Sequence, residues 1–203
     1  RSDRPLNRAA QMLHVFAALG YSALQQPAVP PPLLRPGESR VVGGCLVEHR
    51  GDLLRLCSSI EPENIQSEWD LASGRVPDYA GVMASLATDA LGSRPRGERR
   101  VLMLGLGGGT IAADIMLAEP IDWTLRVTCV ESDADTVAAA QQFFIPLMFA
   151  PDDCTSAAAR SGSENMRRRL RVVQADATRV VQADADAADG LEAAEGPGGA
   201  GGA

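Results

Sequence analysis

Three short β-rich runs, RVLMLG (100–105), LRVTCVE (125–131) and LRVVQAD (170–176), alternate with stretches of helical character. The first run empties directly into a segment where four of five residues, 105–109, are glycine. A strand–helix–strand–helix–strand order dictates parallel pairing through right-handed crossovers. The spacing therefore predicts an α/β fold with a Rossmann-like parallel sheet. The unbroken apolar run ending at Leu104 is what a strand buried on both faces requires. TIAADIMLAE reads as a helix closed by Pro120, and DADTVAAAQQFF as a second helix. A long polar insert, APDDCTSAAARSGSENMRR, then precedes the third strand.

In such a fold ligands gather at the carboxyl ends of the strands. Gly105, Gly107, Gly108 and Gly109 would floor that site, with the next helix offering unpaired N–H groups. A dinucleotide fingerprint wants glycine at the first, third and sixth places. Here the sixth is Thr110, and glycine stands fifth, at Gly109. This argues against a nicotinamide or flavin dinucleotide and leaves an NAD-dependent oxidoreductase the weakest of the readings. No Lys-Ser/Thr pair follows the glycines, which excludes a P-loop. Glu131, ending the second strand, can accept hydrogen bonds from two ribose hydroxyls. Asp176 falls on the same rim, after the third strand.

The ordered set Gly105, Gly107 and Gly109, then Glu131, then Asp176 with Ala177, resembles the class I S-adenosylmethionine-dependent methyltransferases, in their spermidine-synthase-like branch. The resemblance implies that the glycines meet the amino-acid part of the cofactor, Glu131 the ribose, and Asp176 with Ala177 the adenine. Upstream, NIQSEWDLAS and PDYAGVMASLA resemble the segments preceding that part, which implies that Gln66 and Tyr79 face the cofactor. The similarity spans about residues 41 to 182. Polyamine synthases of this branch carry an acid in the glycine run, where Gly108 stands, and a His-Glu after the tyrosine, where Ala80-Gly81 stands. A buried ammonium without a partner costs several kcal/mol, so intact S-adenosylmethionine is favoured over its decarboxylated form. The implied activity is methyl transfer, with aminopropyl transfer in polyamine synthesis or an inactive nucleoside-binding module as alternatives. The acceptor is not specified, and no residue is identified as catalytic. The family's fourth strand and its acidic motif are not found before Ala203, so the parallel sheet is expected to be truncated, with the first strand's edge open. Asp184, Asp186 and Asp189 read as a solvated helix end.

The remaining organisation follows from composition. Residues 1–40 read as a helix over Leu6 to Leu24 and a proline-rich linker, 41–75 as a small β region, and 76–189 as the Rossmann-like part. Residues 190–203 read as a flexible Gly/Ala tail. SRVVGGCLVEHRGDLLRLCSS has the pattern of a β-hairpin turning at Gly51, and IEPENIQSEWDLASGRVPDY is loop-like. YAGVMASLATDALG shows helical spacing at Val82, Leu86 and Leu91, ending at Gly92. The chain opens on Arg1, as a fragment or processed product would. A net charge of −7 argues against general nucleic-acid binding, which needs a basic surface. The arginines at 160, 167, 168, 169 and 171 read as a solvated approach to the third strand. Cys45, Cys57, Cys129 and Cys154 lack metal-ligand or disulfide spacing and read as reduced, packed thiols. No apolar run suffices for a membrane span. A cytoplasmic location is expected, an organellar one or a homodimer being compatible, and no metal is implied.

Overall fold

The computed structural model describes residues 34–92, 99–118, 125–149 and 168–182. The Leu6–Leu24 helix, the linker up to residue 33, the polar insert through Arg167 with Cys154 and Arg160, the Pro120 stop, Asp184 to Asp189 and the tail lie outside the described residues.

Four strands form an antiparallel sheet in sequence order: β1 (Ser39–Val42), β2 (Cys45–Arg50), β3 (Leu53–Ser58) and β4 (Ile65–Asp70). Gly43 and Gly51 turn the chain at positive φ, 55° and 61°, where a side chain would be strained. Cys45 and Val47 of β2 and Leu54 and Leu56 of β3 are buried. Facing away from them, Glu48, Arg55 and Glu68 line up across three strands. Arg55 Nε lies 2.7 Å from Glu68 Oε1, and its Nη1 3.7 Å from Glu48 Oε1.

β4 overturns the expectation of a loop after residue 59. Trp69 is its one buried residue; Ser67 shares that face, Ile65 is exposed, and Gln66, Glu68 and Asp70 are polar. A charged, polar edge strand carries little hydrophobic alternation. Pairing with β3, not its own pattern, makes it a strand.

The second sheet is parallel, ordered β5 (Arg99–Leu104), β6 (Leu125–Glu131), β7 (Leu170–Gln174). With its intervening helices this is the βαβαβ arrangement of a Rossmann-like fold. Helix α1 (Asp78–Gly92) precedes it, α2 (Thr110–Ala118) follows β5, and α3 (Ala134–Ala139) follows β6. A π-helical turn, Ala140–Phe144, carries α3 into α4 (Ile145–Met148), and residues 177–182 form α5. Central β6 is buried on both faces through Val127 and Cys129 on one side and Val130 on the other.

β5 is not buried on both faces. Leu102 and Leu104 are 38% and 58% exposed. Among the described residues the strand is the sheet's edge, and only α5, through Val180, covers that face, over Val130 and Val173. Helix α1 also departs from expectation. Ala80, Ala84, Ala87 and Leu91 form its packed stripe, which lets α1 approach α2 closely. Val82 and Leu86 of the expected stripe are exposed. No helix among the described residues is long and apolar enough to cross a membrane.

Among the described residues the two sheets meet at two junctions. At the β1–β2 turn, the Gly44 amide donates to Asp135 Oδ2 at 2.8 Å, and Cys45 Sγ lies 3.5 Å from Thr136 Oγ1. At the other, β4 rests on the glycine segment. Arg75, just beyond β4, pairs through both Nε and Nη2 with the buried carboxylate of Asp114 on α2.

Candidate functional site

The parallel strands end in register. The Gly105 amide donates to Val130 O at 2.7 Å, and the Ala175 amide to Glu131 O at 2.8 Å. Gly105 to Gly109, Glu131 and Asp176 therefore share one rim, as the sequence predicts. Gly105, Gly107 and Gly109 adopt φ of 99°, 53° and 77°, conformations that disfavour any side chain.

What crowds each glycine differs. A Cβ on Gly107 would overlap Ser67 Oγ of β4. On Gly108 it would fall 2.8 Å from Cδ1 of Phe144 in the π-helical turn, itself fully buried. On Gly109 it would meet Leu106, Ile145 and Met148 at ordinary contact distance. Among the described residues nothing lies within 4 Å of the Cβ position of Gly105. The middle of the segment is bare because the protein's own β4 and π-helical turn press on it, and Gly105 alone faces open space.

The segment's amides are also largely committed. Leu106 N donates to Glu131 Oε2 at 3.0 Å, Gly108 N to Ser67 Oγ at 2.8 Å, and Gly109 N to Leu106 O at 2.8 Å. An anion cradle needs free donors, so the loop is poorly suited to a pyrophosphate. Glu131 Oε1 accepts from Asp133 N at 3.0 Å. The carboxylate thus ties the first strand's loop to the second strand's tip. Oε1 also takes the Ser132 hydroxyl at 3.5 Å, so of about four acceptor sites one is open, and the Ser132 hydroxyl would have to turn away to free a second for a diol. Asp176 is exposed, with Oδ1 capping α5 through Thr178 N at 2.8 Å. Ala177 packs against the small cluster of Val130, Val173, Ala175 and Val180.

Gln66 and Tyr79 are brought together, but elsewhere. They line a groove of about 220 Å³ between β4 and the N-terminal ends of α1 and α2, with Ile65, Glu68, Thr110 and Ile111. Glu131 and Asp176 do not line it. Ser67 stands between the two regions, one side chain away from both. The sequence carries it in the quoted QS pair, but nothing local signals that its hydroxyl meets an amide 41 residues away.

Burial and the neighbouring Glu131 charge push the Cys129 thiol up to about 12. Burial likewise raises Cys45 and Cys57. All three are free and buried, and among the described residues no group of three His, Cys, Asp or Glu is placed to hold a metal.

No protein-family model matches the chain, and no curated protein does. Among solved structures it is similar to a probable spermidine synthase from Corynebacterium glutamicum ATCC 13032, at 17% identity and a TM-score of 0.45. The match covers 70% of this chain and 46% of that one, so the chain spans under half the length of that protein.

Proposed function

We propose that the chain is the cofactor-binding part of an S-adenosylmethionine-dependent transferase, and that it transfers methyl groups. One observation carries this reading. The rim pairs open space over Gly105 with two carboxylates, Glu131 and Asp176, while the loop's amides are taken by Glu131, Ser67 and Leu106. Such a surface offers acceptors more than donors. It suits a cationic nucleoside with free hydroxyls and an ammonium better than a doubly anionic pyrophosphate.

In this reading Glu131 holds the ribose and Asp176 with Ala177 the adenine edge, while the carbonyls of the glycine segment face the amino-acid end. Methyl transfer then asks the protein mainly for orientation. Bound there, S-adenosylmethionine would supply the methyl carbon on its sulfonium to the acceptor's lone pair, a neutral thioether being the leaving group. Position 108 supplies no carboxylate for the free ammonium of a decarboxylated cofactor. Its Cβ direction is also closed by Phe144, so this chain offers an acid no room there.

Isothermal calorimetry tests the reading. S-Adenosylhomocysteine is expected to bind and NAD to give no heat. Binding of NAD alone would overturn the cofactor class. Tighter binding of decarboxylated S-adenosylmethionine than of the intact form would replace methyl by aminopropyl transfer.

A further inference from the structure

Among the described residues β4 is the outer strand of its sheet. Leu71 N donates to Asp52 O at 2.7 Å, toward β3, and Asp70 N donates to Arg75 O at 2.9 Å, away from it. Antiparallel pairing alternates, so Ser67 and Trp69 turn their main chain to β3. Glu68 turns its amide and carbonyl outward, to the groove that it lines. The chain already uses this edge once, in the antiparallel bridge between Asp70 and Arg75. Continued by two residues, that bridge would set Pro77 opposite Glu68. Proline has no N–H to donate, and the chain turns there into α1, leaving the groove between them.

We propose that this groove binds an extended polypeptide by strand addition, one peptide residue exchanging two main-chain hydrogen bonds with Glu68. Side chains of the peptide would rest on Ile65, Tyr79 and Ile111, of which Ile65 and Tyr79 are 39% and 67% exposed. Main-chain bonds supply affinity in this mode, and flanking pockets supply selectivity. The volume, equal to about seven water molecules, suits a short segment. Charge separates this occupant from a diamine. Among the described residues the one carboxylate lining the groove, Glu68, is paired with Arg55 at 2.7 Å, so an ammonium finds no free counter-ion among them.

The inference names polypeptide as the acceptor class and rests on the transferase reading for the transfer step alone. Docking is therefore measured without cofactor. Acetyl-Val-Ala-Val-amide titrated into the ¹⁵N-labelled chain is expected to shift the Glu68 amide together with those of Ile65 and Tyr79. Methylating the central peptide nitrogen should weaken binding tenfold or more. Ile65→Trp, which fills the groove from a side chain outside the packed core, should abolish the shifts while leaving S-adenosylhomocysteine calorimetry unchanged. An unmoved Glu68 amide, equal binding of the N-methylated peptide, or groove shifts produced by 1,4-diaminobutane and not by the peptide would overturn the proposal.

Discussion

The Ser67 hydroxyl accepts a hydrogen bond from the Gly108 amide at 2.8 Å, joining the antiparallel sheet to the first turn of the parallel one. The neighbouring Gly107 sits at φ 53° with its Cβ position already taken by the same Ser67. Gly107→Ala should therefore destabilise the chain in two separable ways. The left-handed backbone costs about 1–2 kcal/mol, and the overlap with Ser67 adds to it. Placing Ser67→Gly in the same chain should recover the overlap and leave the backbone cost. Urea unfolding of the two singles and the double measures that coupling. Strict additivity would mean that β4 does not press on the glycine.

Glu131 has two duties, and substitutions should divide them. Glu131→Gln keeps an acceptor for Leu106 N and loses the charge. It should weaken S-adenosylhomocysteine binding by roughly 1.5–3 kcal/mol, the range for hydrogen bonds to a charged group, and lower the melting temperature slightly, because its NH2 faces the Asp133 amide that Oε1 had accepted. Glu131→Ala strands both the Leu106 and Asp133 amides, so it should lower the melting temperature further. Calorimetry beside thermal melts checks both. Equal nucleoside affinity in wild type and Glu131→Gln would remove Glu131 from the ribose.

The parallel sheet was legible because its signals are local. VLML runs without interruption, and the glycines follow at once; Glu131 and Asp176 each close a β-rich run. The reason for the glycines was not legible, because Ser67 and Phe144 lie about 40 residues away in opposite directions. β4 escaped notice for a related reason: only Trp69 of its six residues is buried. In α1, periodicity favours the bulkier stripe of Val82 and Leu86. Packing instead selected the alanines, which permit close approach to α2. Gln66 and Tyr79 do converge, yet on a groove beside β4 and not on the rim that carries Glu131.

Asp114 is 2% exposed at its side chain and answers to Arg75, which is 58% exposed. Removing the cation leaves a buried carboxylate alone, which costs about 3–5 kcal/mol where both partners are buried. Water reaching the Arg75 end reduces this, so Arg75→Met is expected near the lower limit. Arg75→Met with Asp114→Asn should be more stable than Arg75→Met alone. Denaturant midpoints decide it. No recovery in the double would show that Arg75 acts by packing.

Cys129 gives the chain an alkaline sensitivity with a definite sign. Its thiol is pushed from 9.0 up to about 12 in the folded state. Between those values the unfolded chain has lost this proton and the folded chain keeps it. The unfolded state then binds fewer protons, so stability falls as pH rises through this window. Below pH 9 the contribution is fully present. Cys129→Ala should be less stable at pH 8, having lost buried volume, but should decline less steeply from pH 9 to 10.5. Cys45 and Cys57 are also raised, so the slope should flatten without vanishing. Urea unfolding under reducing conditions at three pH values measures it, and parallel slopes for the two chains would show that the Cys129 thiol does not govern this decline.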